Sequence, residues 1–175
     1  MPQRHKEKPN RFGLSLLMLT EFGSLPAVAW GSSLVARYGS SVTWVELSGS
    51  GLYPRFAPTV ADPNKGGSIG WFAGQLAACQ APGETWPVAG CLGVELGELF
   101  GHGVGMTNQD RGQALWTAVT AGAAFRGQLR HDWGLELRLG AAVPATHPDF
   151  GVAGYGPIWH PAVVSARFLV GLSWR

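Results

Sequence analysis

Charge is what this sequence has least of. Asp, Glu, Lys and Arg make up 14% of the 175 residues, against about 25% in an ordinary soluble domain. Long apolar runs are missing as well. The longest stretch without a charge, 66–83, spans 18 residues but is interrupted by Gly, Gln, Ser and Pro, so no helix that could span a bilayer is expected. A basic body is also lacking. Residues 1–11 carry Arg4, Lys6, Lys8 and Arg11 against Glu7, and the remaining 164 hold nine basic and ten acidic groups. That balance excludes the electrostatic footprint of a nucleic-acid binder. There is no G-X-Y period, and Pro plus Gly, 38 of 175 residues, stays below the roughly 25–30% that marks low complexity. With 46% hydrophobic residues the chain is long enough and apolar enough for one domain with a core. What is abundant is glycine, 26 residues, and tryptophan, 8 residues. Little charge, much Gly and Trp and no spanning helix describe a β-rich protein, either soluble or embedded in a membrane through strands.

The dominant pattern has period two. In 135–143, Leu135, Leu137, Leu139, Ala141 and Val143 share one face while Glu136, Arg138, Gly140 and Ala142 share the other. A helix would scatter those charges; a strand separates them. The last segment, 164–174, repeats the split, with Arg167 and Leu169 on the second face. The same division holds for 12–22, 27–38, 42–53, 69–79, 91–100 and 114–126. Glu98 breaks it by falling on the apolar face, where a bulge or an interfacial position would accommodate it. Eight strands of about ten residues result. Connections rich in Gly, Pro, Ser, Asn or Asp separate them. The three long ones, 54–68, 101–113 and 144–162, alternate with 39–41, 80–90 and 127–134 and so share one end of a meander. A single domain over 12–175 is expected, preceded by a basic arm, 1–11, expected to be disordered.

Alternation does not say which face is wet. A soluble up-and-down barrel buries its leucines, and a membrane barrel turns them to lipid. The polar face here is Gly, Ala and Ser with about one charge per strand, far from the roughly 25–35% charge of a soluble exterior. The apolar face is bulky, and an eight-stranded barrel has an interior just wide enough for side chains to fill. Aromatics gather on the apolar face near strand ends. Phe12, Tyr38, Phe125 and Trp174 lie toward the short turns, and Phe22, Tyr53, Phe72 and Phe100 toward the long loops. Two such girdles bound the lipid band of an outer-membrane barrel. Ten residues rising ~3.3 Å each and tilted ~40° span roughly 25 Å, and closure removes edges that lipid cannot satisfy. The fold class expected is therefore all-β, a closed antiparallel up-and-down eight-stranded β-barrel of outer-membrane type.

In that arrangement Glu21, Glu46, Gln75, Glu95, Glu136, Arg138 and Arg167 point inward, with Arg37 and Arg126 near the short-turn rim. Charges enclosed in a narrow barrel must be paired or hydrated, so a packed Glu/Arg network with bound water is expected, not an open pore. An ion path is the alternative. Cys79 and Cys91 flank the 80–90 connection with the same inward parity on adjacent antiparallel strands, which permits a disulfide and implies an oxidising compartment such as the periplasm. Metal binding is the weaker reading: there is no second Cys pair and no His at ligand spacing.

With eight alternating strands, unequal loop and turn ends, and the final strand Arg167-Phe-Leu-Val-Gly-Leu-Ser-Trp-Arg175, residues 12–175 resemble the small outer-membrane β-barrels of Gram-negative bacteria, the OmpA-like transmembrane domain and its uncharacterised relatives. The chain is also similar to hypothetical barrels with a Cys pair placed as in Ala78-Cys-Gln and Gly90-Cys-Leu-Gly-Val-Glu. The resemblance implies an outer-membrane location, lipid as solvent and insertion by the outer-membrane assembly machinery. Such barrels usually end in an aromatic residue; here Trp174 is followed by Arg175. They also require a secretory signal. Residues 1–29 offer a basic start, an apolar run and Ala27-Val-Ala29, but Glu21 interrupts the run, so 12–22 is read as a strand and the signal is expected upstream.

Signatures of catalytic chemistry are sparse. No G-x-S-x-G occurs, and Gly101-His-Gly-Val-Gly105 lacks the spacing of a phosphate cradle. His102, His147 and His160 fall in long loops with Asp110 and Asp149 near in sequence, where solvated loop histidines are the expectation. No catalytic residue, metal ligand or cofactor is assigned. The leading reading is a non-enzymatic membrane barrel with a structural or surface-interaction role, meeting an extracellular partner through 54–68, 101–113 and 144–162. The alternatives are a soluble, secreted lipocalin-like barrel holding an apolar ligand, and a barrel lipid-modifying enzyme.

Overall fold

The computed structural model describes residues 11–59, 62–105, 111–152 and 156–174. Its strands are β1 (Arg11–Phe22), β2 (Ala29–Gly39), β3 (Thr43–Pro58), β4 (Gly66–Gln80), β5 (Val88–Val104), β6 (Arg111–Gln128), β7 (Trp133–Pro144), β8 (Phe150–Val152), β9 (Gly156–Trp159) and β10 (Ser165–Trp174). Eight of them close an antiparallel barrel in the order β1-β10-β7-β6-β5-β4-β3-β2, and β8 and β9 form a separate two-stranded sheet. Closure joins the first and last barrel strands over a register running from Leu14 opposite Trp174 to Phe22 opposite Ala166. Every barrel strand thereby has a hydrogen-bonded neighbour on both sides.

The faces are inverted relative to a soluble barrel. On β7, Glu136 is 0% exposed, while Leu139 on the opposite face is 64% exposed. Glu21, Glu46 and Glu95 are also buried, whereas Leu16, Leu34, Leu47, Leu76, Leu92 and Leu96 stand on the outside. A lipocalin-like barrel would have these leucines in its centre, so the soluble alternative does not fit this arrangement.

The strands are longer, and the connections shorter, than turn composition suggests. The 54–68 connection contracts to 59–65, 80–90 to 81–87 and 101–113 to 105–110, and β1 already begins at Arg11. Strands β3 to β6 have 15 to 18 residues, against 10 to 12 for β1, β2, β7 and β10. One wall of the barrel therefore stands taller at the loop end. Glycines there read as loop residues but serve strand packing. A Cβ on Gly66 would lie 2.0 Å from the Ala57 carbonyl oxygen, so only glycine lets β3 and β4 pair at that position. Among the described residues of the barrel, the register shifts between Leu52 and Arg55 on β3. Glu98 has no bulge: it sits in register opposite Phe72 and Leu115 on the outer face.

The 144–162 segment is not a plain loop. It carries the β8–β9 hairpin, in which Phe150 lies opposite Trp159. Phe150, Ile158 and Trp159 pack against the core cluster inside the loop end of the barrel.

Candidate functional site: the charged interior of the barrel

Period-two alternation sends one residue in two inward, and the strand tilt stacks those residues in layers. Nearest the short turns is a cluster drawn from five strands. Arg138 on β7 donates to Glu46 on β3 through Nη1 at 2.6 Å and Nη2 at 3.0 Å, and through Nε to Glu136 at 2.6 Å. Arg126 on β6 reaches Glu46 at 2.7 Å and Glu136 at 3.5 Å. Arg37 on β2 reaches Glu136 at 3.1 Å, and Ser15 on β1 donates its hydroxyl to the same carboxylate at 2.7 Å. The Trp44 indole donates to Glu46 at 2.8 Å, and the Arg126 guanidinium lies over the Trp44 ring, 4.5 Å from its centroid. Two carboxylates thus receive three guanidiniums, an indole and a hydroxyl. Dense hydrogen bonding of this kind is what allows charge to stay buried. Arg37 and Arg126 belong to this cluster and are not merely rim residues.

Above it lies a neutral layer. Ser50 donates to Ser33 at 2.8 Å, Ser48 to Gln75 at 3.3 Å, and the Gln75 amide to Thr120 at 2.6 Å. These side chains line an internal cavity of about 70 Å³ between Arg138 and Arg167.

A second ionic cluster follows. Arg167 on β10 forms an ion pair with Glu95 on β5 and lies 3.3 Å from Glu21, its direct neighbour across the β1–β10 seam. Ser24 donates to Glu21, the Trp116 indole donates to Glu95, and the Trp71 ring lies 4.9 Å beneath the Arg167 guanidinium. Trp71 and Trp116 meet edge to face at 6.4 Å. Beyond them the interior changes character. Leu19, Leu25, Leu52, Ile69 and Leu99 are buried there with the two tryptophans. The inward face is not uniformly small and polar; its loop-end half is a plug of large apolar side chains.

Cys79 and Cys91 are direct cross-strand partners on β4 and β5 and form a disulfide. The bridge packs with Trp44, Ala81 and Ala89 at the short-turn end. Glu46 lies close enough to the two sulfurs for a shared ligand set, but sulfurs held in a disulfide have no thiolate to offer a metal. Below the lower cluster the barrel opens into a cavity of about 390 Å³, floored by Arg37, Trp44 and Arg126.

On the outside, Phe12, Phe22, Tyr38, Tyr53, Phe72 and Trp174 are exposed, and Phe125 is only slightly less so. Phe100 lies against Phe72 with ring centroids 6.3 Å apart. Two further aromatics stand on this surface beside the expected girdle residues, Trp133, which falls in the expected 127–134 connection, and Trp30, which has outer-face parity in 27–38. Trp133 is exposed directly opposite Trp174, and Trp30 is exposed opposite Thr20. Starting β7 at Trp133 and following parity across from Trp174 would have found the first. His102 stands on β5 opposite Ser68 and Arg111, and His147 and His160 are exposed on either side of the hairpin. Asp110 and residues 1–10 lie outside the described residues.

No protein-family model matches the chain, and no curated protein matches it by sequence. Solved structures match by shape. A major outer membrane protein from Thermus thermophilus is similar with a TM-score of 0.69 at 11% identity, covering 94% of this chain and 99% of that one. Ail, the attachment invasion locus protein of Yersinia pestis, solved in complex with the heparin analogue sucrose octasulfate, gives 0.58 at 10% identity over 94% and 96%. Neisserial surface protein A gives 0.54 at 12% identity over 95% and 99%. The fold of this chain is that of the small eight-stranded outer-membrane barrels.

Proposed function

We propose that this protein is an integral β-barrel of a Gram-negative outer membrane, anchored by its outer face and sealed within by the two Glu/Arg clusters. The observation that carries the reading is the inversion of faces. A continuous belt including Leu16, Leu34, Leu47, Leu92 and Leu139 is exposed while Glu21, Glu46, Glu95 and Glu136 are buried. In water that belt would be a very large apolar patch. In a bilayer it is the expected lipid contact, and the aromatics at its two margins are girdle residues. Strands of this kind are inserted by the outer-membrane assembly machinery, which makes that machinery and the lipid bilayer the first partners. The interior clusters, with Gln75 between them, act as a filling that fixes the barrel and blocks conduction.

The outward role is surface interaction through the loop end, over 59–65, 105–110 and the hairpin-bearing segment after β7. Binding of a polyanion, as in the Ail complex, is not favoured. The longer segments 54–68, 101–113 and 144–162 together hold Arg55, Lys65 and Arg111 against Asp62, Asp110 and Asp149, so no basic surface is available at neutral pH.

The test is refolding into lipid vesicles and detergent. The expected result is a folded form that migrates differently from the boiled form on gels, resists added protease, and leaves a planar bilayer without steps of conductance. A monomer that stays soluble and folded without detergent would overturn the membrane placement. Steady conductance would overturn the sealed interior.

A further inference from the structure

The cavity at the short-turn end has a preformed mouth. The connection 81–87 is tied at both ends: the Ala81 N–H donates to the Val42 carbonyl at 2.9 Å, and the Arg126 N–H donates to the Pro87 carbonyl at 2.8 Å. The two neighbouring turns close on themselves. The Ser40 N–H donates to the Thr43 carbonyl at 2.8 Å, and the Leu129 N–H to the Trp133 carbonyl at 2.9 Å. The space so enclosed is about 390 Å³, within the range of small-molecule sites. One wall is apolar and built of small side chains, Ala81, Ala89 and Ala124, all buried, with Trp86 exposed at the mouth.

The floor carries charge that the cluster above it does not match. Arg37, Arg126 and Arg138 meet two carboxylates, Glu46 and Glu136. Arg138 uses every nitrogen on them, and Arg37 is engaged with Glu136 and in further contacts. Arg126 is different. Its Nη2 donates to Glu46 at 2.7 Å, but Nε is buried without a hydrogen-bond partner, a Glu136 oxygen lying 3.5 Å away, and no described group accepts from Nη1. Open donors on a largely buried guanidinium are costly unless an acceptor fills them. The Trp44 ring covers one face of the guanidinium, so an acceptor comes to its edge, from the cavity that Arg126 floors. The other ionisable groups around the mouth, Glu84, Arg130, His131 and Asp132, are all exposed. They act through water, where screening leaves them little influence on the floor.

We propose that this cavity binds a small organic monocarboxylate with a flat apolar body, its carboxylate on the Arg126 guanidinium and its body against Trp86 and the wall of Ala81, Ala89 and Ala124. One excess cation calls for one negative charge; a second would be desolvated without a match. The site is entered from the short-turn end, which is the periplasmic end in the membrane reading proposed above. Its chemistry rests on interior geometry alone, so failure of either reading leaves the other standing.

The experiment is equilibrium dialysis of the full chain in amphipol against radiolabelled benzoate, with empty amphipol as background. Saturable binding is expected, displaced by unlabelled benzoate but not by benzamide, which has the same shape without the charge, nor by phthalate, which carries a second charge. Arg126→Met weakens benzoate roughly 10- to 100-fold, the scale of a hydrogen bond to a charged group. The barrel stays folded, because both carboxylates keep Arg138 and the cluster becomes balanced, with Arg37 and Arg138 against Glu46 and Glu136; the urea unfolding midpoint checks this. Trp86→Ala, at an exposed position outside the ionic cluster, weakens benzoate about fivefold with the charge untouched, and carries the test if Arg126→Met does not fold. Absence of saturable binding, displacement by benzamide or phthalate as effective as by benzoate, or unchanged affinity in either folded variant overturns the proposal.

Discussion

Arg138 and Glu46 are 92 residues apart in sequence and joined across the barrel lumen by two hydrogen bonds, of 2.6 and 3.0 Å. Glu46 also holds Arg126 and the Trp44 indole. Its removal leaves Arg37, Arg126 and Arg138 sharing one carboxylate, Glu136, in this cluster. Breaking a buried pair from one side costs about 3–5 kcal/mol. Glu46→Ala is therefore expected to lower the stability of the folded barrel by that amount, read from reversible urea unfolding in lipid vesicles. Replacing both partners, as Glu46→Leu with Arg138→Met, is expected to recover a large part of the loss, because the cluster then keeps its original balance of one excess cation. A double variant as unstable as the single one would show that the pair is not the source.

The outer face carries a separate prediction. Val94 lies midway along β5, exposed, opposite Leu76 and Val119. Val94→Arg puts a guanidinium against the middle of the hydrocarbon, where the cost is about 2–4 kcal/mol. On the surface of a soluble barrel the same change would be nearly neutral. Unfolding of the variant in vesicles, set beside the wild type, separates the two: an unchanged midpoint would contradict lipid contact at this position.

How far the sequence could be read follows from what each signal measures. Parity was legible, because a charge such as Glu136 between Leu135 and Leu137 admits one assignment of faces in a strand. Strand ends were not, because a glycine such as Gly66 has the same composition signal in a turn and in a crowded strand. The ion pairs were legible as a set and not as partners. Arg37 faces Glu46 in register yet bonds Glu136, since contacts across a narrow lumen depend on tilt and stagger, which alternation does not report. The same ignorance of height hid the apolar plug: the alternation in 69–79 and 114–126 gives Trp71 and Trp116 inward parity, but it does not report that they share a layer with Leu99. The hairpin was hidden because strands of three and four residues are too short for a period to show.

The disulfide between Cys79 and Cys91 closes a connection of sequence separation 12 at the short-turn end. In the chain-entropy view a loop of this size contributes roughly 3 kcal/mol by restricting the unfolded chain. Cys79→Ala with Cys91→Ala is expected to lower the unfolding midpoint accordingly, with strand content by circular dichroism unchanged because β4 and β5 remain paired on both sides of the bridge. Reducing agent should move the wild type to the variant's midpoint and leave the variant unmoved. Loss of strand content in the variant would mean that the bridge is needed to form the barrel, not only to hold it.

Glu98 sits on the lipid-facing side of β5 between Phe72 and Leu115, at the level of the loop-end aromatics. A carboxylate on that face is tolerated near the interface and penalised with depth, with a cost of about 0–1 kcal/mol close to the headgroups and more toward the midplane. Glu98→Leu is thus expected to stabilise the barrel slightly in a bilayer of ordinary thickness. Thicker hydrocarbon raises the lipid boundary along a barrel of fixed height and draws position 98 deeper. The gain from Glu98→Leu should then grow with acyl-chain length, while a neutral outer-face change such as Val94→Leu shows no such trend. Unfolding midpoints of both variants across vesicles of increasing chain length measure this directly. A gain from Glu98→Leu that stays flat across the series would place Glu98 outside the hydrocarbon and lower the loop-end boundary of the lipid band below Phe72 and Phe100.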